Sequence, residues 1–208
     1  IYSQVTEFVL RFIIWIISHT MYRVKHQGIN NIPDEGAAVL VCNHVSFVDA
    51  LLIAGSSRRT VRFVMDKSIA NMPIMKYVFK WAKTIPICSP KQDIDTYNKA
   101  FDQIQHELNE GELVCIFPEG KITKNGQLNE FRSGIDKILK NNPVPVVPMA
   151  LIGLWGSFFS HKDGHAFTTK PRRFWSRVGL IVDEPIAAQD ANAKNLQTKV
   201  QSIITTHR

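Results

Sequence analysis

A strand-type apolar run that ends abruptly in polar chemistry constrains this chain more than any other feature. Ala37 to Cys42 holds only Ala, Val, Leu and Cys, and then gives way to Asn43-His44-Val45-Ser46. A second apolar run, Val48 to Ala54, reads as a helix. In α/β proteins ligands bind at the C-terminal ends of strands, where loops converge at an open edge of the core. His44 stands at such an end, and Asp49 follows five residues on. A carboxylate there accepts the imidazole Nδ1–H, fixes the tautomer, and leaves Nε2 to take a proton from a hydroxyl. Ser46 is the only nucleophile nearby and need not face the ring, so the pattern suggests a base acting directly on a substrate hydroxyl. The plainer reading has His44 capping the strand and Asp49 complementing the dipole of the following helix.

A second cluster of the same kind strengthens the chemical reading. The apolar stretch Leu113 to Phe117 runs into Pro118, Glu119, Gly120 and Lys121. Around these two, the chain reads as strands alternating with helices. Strands are expected at Tyr22 to Gln27, Val61 to Met65, Thr84 to Cys88, Val144 to Ile152 and Val178 to Val182. Helices are expected at Ile69 to Trp81, Ile94 to Leu108, Phe131 to Lys140 and Ala191 to Thr205. Such alternation predicts an α/β fold with a mixed, largely parallel sheet flanked by helices. Residues 22–208 form one domain, with no internal linker long enough to divide it.

Residues 2–20 predict an apolar helix, dense from Phe8 to Ile17 but interrupted by Arg11. It is too short to span a bilayer, which takes about 20 apolar residues. Lying in the membrane interface, with residues 1–21 as a separate element, is one expectation; packing on the core or on a neighbouring domain is the other. The 25 Lys and Arg against 18 Asp and Glu leave a net charge of +7. That balance suits an anionic partner, and a membrane surface is preferred to nucleic acid because no nucleic-acid motif occurs. Cys42, Cys88 and Cys115 lack metal-ligand spacing and read as reduced core thiols, which points to a cytosol-facing compartment. No metal site is expected.

Taken together, Asn43-His44-x-Ser46-x-x-Asp49 and Phe117-Pro118-Glu119-Gly120 resemble the glycerolipid acyltransferase family, which contains the lysophosphatidic acid acyltransferases. A Val-Pro strand, Val146 to Leu151, is similar to a further family motif. The resemblance implies an O-acyltransferase that moves a fatty acyl group from an acyl thioester to a lysophospholipid hydroxyl without a cofactor. It implies His44 as general base and Asp49 as its orienting partner, with Asn43, Ser46, Phe47, Glu119, Gly120 and Lys121 around the substrate. The donor would be acyl carrier protein or a coenzyme A thioester. Oxyanion donors are expected among backbone N–H groups near Gly120 or at the helix after His44.

The chain departs from the family where an Arg usually follows an apolar strand to grip the acceptor's phosphate monoester. Here the stretch is Ile85-Pro86-Ile87-Cys88-Ser89-Pro90-Lys91, so Lys91 is the substitute, without the bidentate geometry of Arg. This favours lysophosphatidylethanolamine as acceptor over 1-acylglycerol 3-phosphate, and the chain resembles the 2-acylglycerophosphoethanolamine acyltransferase branch in Asn43-His44-Val45-Ser46-Phe47 and in Phe117-Pro118-Glu119-Gly120 followed by Lys121, Ile122 and Thr123. In that branch the domain can be fused to a lysophospholipid transporter or an acyl carrier protein ligase. The place implied is the cytoplasmic face of the inner membrane, peripheral or as a domain of an integral membrane protein. Two other classes stay open: a catalytically silent membrane-binding module, and a hydrolase using Ser46. The second lacks the Gly-x-Ser-x-Gly elbow.

Overall fold

The computed structural model describes residues 9, 12, 13, 15, 16, 19–70, 82–156 and 177–207. Seven strands form one sheet: β1 (Arg23–Gln27), β2 (Ala38–Cys42), β3 (Val61–Asp66), β4 (Ile85–Ile87), β5 (Leu113–Ile116), β6 (Val146–Ile152) and β7 (Arg177–Val182). Their spatial order is β1-β7-β6-β2-β5-β3-β4, so β2 lies at the centre. Every neighbouring pair is parallel except β6 with β7. The mixed, largely parallel sheet expected from the sequence is therefore present.

Among the described residues beyond 21, the α-helices are α1 (Asp49–Ser56), α2 (Lys67–Ala70), α3 (Ile94–Asn109), α4 (Gly134–Asn141) and α5 (Ala193–Thr206). Alternate residues of the central strands point to opposite faces, and both faces are covered. Val39, Val41, Val114 and Ile116 pack with Phe101, Ile104, Ile135, Ile138, Leu196 and Val200 of α3, α4 and α5. Ala38, Leu40, Cys42, Leu113 and Cys115 pack on the other side with Leu52 and Ile53 of α1. Burial on both faces is why β2 and β5 are apolar at every position instead of alternating. Burying one such Leu or Ile side chain is worth about 1.5–3 kcal/mol.

The helix expected at Phe131 to Lys140 begins only at Gly134. Phe131 N–H donates to Gln197 Oε1 and Arg132 N–H to Pro118 O, so the first is tied to α5 and the second to the strand-end loop. The three thiols are free and buried, as their apolar surroundings suggested. Among residues 1–21 the described ones are helical, and Val9, Phe12, Ile13, Trp15 and Ile16 are exposed. Among the described residues, no helix is long and apolar enough to cross a membrane. Residues 71–81 of the helix expected at Ile69 to Trp81 lie outside the described residues.

Candidate active site

Parallel neighbours end on the same side of a sheet, and this brings the two polar clusters together. Val41 of β2 is level with Ile116 of β5. Three residues further along each strand stand His44 and Glu119, and His44 N–H donates to Glu119 Oε1 at 2.7 Å. Thr123 N–H donates to His44 O at 2.9 Å. The loop after β5 thus holds both backbone groups of His44. Glu119 Oε2 in turn accepts from Asn129 N and Nδ2, each at 2.7 Å.

On the other flank Asn43 extends the ladder with its side chain. Its Nδ2 donates to Leu151 O at 3.0 Å, and its Oδ1 accepts from Leu151 N at 2.8 Å. The His44 backbone is therefore pinned from β5 on one side while the residue before it is pinned from β6.

The ring is oriented just as tightly. His44 Nδ1 lies 2.9 Å from Asp49 Oδ2, and the carboxylate oxygen can only accept, so the Nδ1 position carries the proton. Phe117 stacks on the imidazole with centroids 4.4 Å apart and planes inclined by 19°. The His44 side chain keeps 20% of its surface accessible, whereas Asp49 has none. In the neutral ring Nε2 is then the accepting nitrogen, held in a fixed orientation: the geometry of a general base.

Asp49 does more than orient the ring. The same Oδ2 accepts Val45 N–H at 2.7 Å and Ser46 N–H at 3.0 Å. Its Oδ1 is buried without a hydrogen-bond partner among the described residues. Cys42 and Cys115 interact with this charge, and burial, ahead of the Asp49 charge, pushes both thiols well up. They are neutral core groups, not nucleophiles. Burial also raises the carboxyl of Glu119, against the pull of the N–H groups of His44 and Asn129.

Several sequence expectations take a different form in the structure. Ser46 is fully buried, and its Oγ accepts Val48 N–H at 3.1 Å, so the hydroxyl holds the turn into α1. Asn43 and Glu119, expected around the substrate, make their hydrogen bonds to backbone, to the Cys42 thiol and to Asn129. At the start of the helix after His44, where oxyanion donors were expected, Val48 N–H is taken by Ser46 Oγ and Asp49 N–H by Ser46 O, and just before it the N–H groups of Val45 and Ser46 are taken by Asp49. Gly120 N–H donates to Phe117 O. Phe47 is 40% exposed beside the site, and Lys121 is exposed next to Gly120.

Lys91 follows β4, which is three strand intervals from β2. At about 4.8 Å per interval that is roughly 14 Å, so the fold does not bring Lys91 and His44 into contact through the sheet. Sequence reasoning missed Phe117 as the stacking partner, and Thr123 and Asn129 as the outer clasp. Among the described residues no group of His, Cys, Asp and Glu could hold a metal ion.

Comparison with known proteins bears on this arrangement. The family model described as Acyltransferase matches residues 23–152. A chloroplastic 1-acyl-sn-glycerol-3-phosphate acyltransferase of Brassica napus is 29% identical over 178 residues, covering 80% of this chain and 49% of that protein. One from Arabidopsis thaliana is 28% identical over 138 residues, covering 65% of this chain and 37% of that protein. The chain thus spans half or less of these plant relatives. The crystal structure of the 1-acyl-sn-glycerophosphate acyltransferase from Thermotoga maritima superposes with a TM-score of 0.76. It shares 20% identity, over 99% of this chain and 80% of that one, a likeness of fold alone.

Proposed function

The chain belongs to the acyltransferase family, and from that premise we propose that it transfers a fatty acyl group from an acyl thioester to the free hydroxyl of a lysophospholipid. The observation that carries the reading is the 2.9 Å pair of His44 Nδ1 and Asp49 Oδ2, on a ring whose other nitrogen is left to accept. The acceptor hydroxyl gives its proton to Nε2 as its oxygen attacks the thioester carbonyl. The tetrahedral intermediate then expels the thiolate, which takes the proton back from the imidazolium. An ester and a free thiol result, with no acyl-enzyme. Ser46 is excluded as a nucleophile because its buried hydroxyl holds Val48.

The acceptor we propose is 1-acylglycerol 3-phosphate, giving phosphatidic acid, because the similar plant proteins carry that substrate in their names. Lysophosphatidylethanolamine is the second reading, and the absence of Arg from Ile85 to Lys91 favours it. The donor is a thioester of coenzyme A or of acyl carrier protein. The place of work is a membrane surface, met by the exposed Val9, Phe12, Ile13, Trp15 and Ile16. Acyl transfer from a labelled thioester to each lysophospholipid in mixed micelles tests the choice. A higher kcat/KM with 1-acylglycerol 3-phosphate is expected; a higher value with lysophosphatidylethanolamine would reverse the order.

A further inference from the structure

Beside Glu119 a groove of about 1280 Å³ opens between the strand-end loop, the approach to α4 and the first turns of α5. Three cations line it: Lys121, Arg132 and Lys194. They come from separate parts of the chain, and the sequence reading singled out only the first. Among the described residues none of the three side chains has an ion pair or a hydrogen bond. Of the two acids in the lining, Glu119 is buried with both oxygens taken, and Glu130 is exposed.

Two details show that the cations gather here at a cost. Lys194 occupies the first turn of α5, which holds no acid. The helix dipole disfavours a cation there. Gly120 stands at φ +64°, and a Cβ on it would lie 2.7 Å from Arg132 Cζ. A residue without a side chain therefore makes room for a guanidinium directly next to the residue that holds His44. A dianion bound among the three would relieve their mutual repulsion, and the planar fork of Arg132 suits two phosphate oxygens at once.

We propose that this groove holds the phosphate of a phosphate ester, through Arg132 with Lys121 and Lys194. The assignment rests on the acyl transfer proposed above, in which two such esters enter: the glycerophosphate of the acceptor and the phosphopantetheine end of the donor. Isothermal titration of the full chain with glycerol 3-phosphate, and separately with coenzyme A, distinguishes them. Arg132→Gln and Lys194→Gln should each weaken one ligand by about tenfold. Lys140→Gln, an exposed change at the far end of α4, should leave both within about twofold.

Loss confined to glycerol 3-phosphate assigns the groove to the acceptor; loss confined to coenzyme A assigns it to the donor. Binding of neither ligand by the wild type, or both groove variants within about twofold of it, would overturn the proposal. Intact phosphate binding with no acyl transfer by the wild type would remove the proposed function and leave the groove standing.

Discussion

The His44 loop and the basic groove share Glu119 and differ in almost everything else. Around His44 nearly every polar group is buried and paired: two backbone atoms of His44, its Nδ1, both oxygens of Glu119 and the side chain of Asn43 all have partners within 3.0 Å. In the groove three cations stand exposed without partners. The first region is organised before any substrate arrives, and its substitutions should register in both stability and rate. The second is charge waiting for a ligand, and its substitutions should register in binding alone.

The largest expected effect after loss of the base itself is that of Asp49→Asn. An amide accepts at one atom only and places an NH₂ group where Oδ1 now lies buried without a partner. Acyl transfer should fall by about 10²–10⁴-fold, measured under single turnover. Glu119→Ala removes the acceptor of three N–H donors and should cost about 3 kcal/mol. In a domain of this size that lowers Tm by roughly 10 °C in a thermal melt. Arg132→Gln, in contrast, should stay within about 0.5 kcal/mol of wild type. If calorimetry found the two variants equally destabilised, the contrast between the regions would be gone.

Gly120→Ala sharpens the contrast because it touches both regions. Its positive φ costs about 1 kcal/mol with a Cβ present. The same Cβ pushes the Arg132 guanidinium aside, so phosphate-ester binding should weaken along with stability. Chemical denaturation and titration on one sample check both.

How much of this was legible in the sequence follows the same division. Runs such as Ala38 to Cys42 and Leu113 to Ile116 declare buried strands locally, and the polar residues that end them declare a site. The His44–Asp49 pair lies within one loop and one helix turn, so its spacing was enough. The roles of Glu119, Thr123 and Asn129 depend on the alignment of β2 with β5, which sets Val41 opposite Ile116 across 75 residues of chain. No local pattern encodes that alignment. Arg132 and Lys194 were hidden for the same reason: one precedes α4, the other opens α5, and only the packing of both helices on one face of the sheet brings them to one groove.

The most direct test of the central claim is single-turnover acyl transfer to 1-acylglycerol 3-phosphate by wild type and His44→Ala, with circular dichroism and vesicle binding followed on the same preparations. The account predicts a rate lower by at least about 10²-fold for the variant, with fold and vesicle binding unchanged. A variant that turns over at the wild-type rate would remove His44 as the base, and with it the mechanism built on the 2.9 Å pair with Asp49.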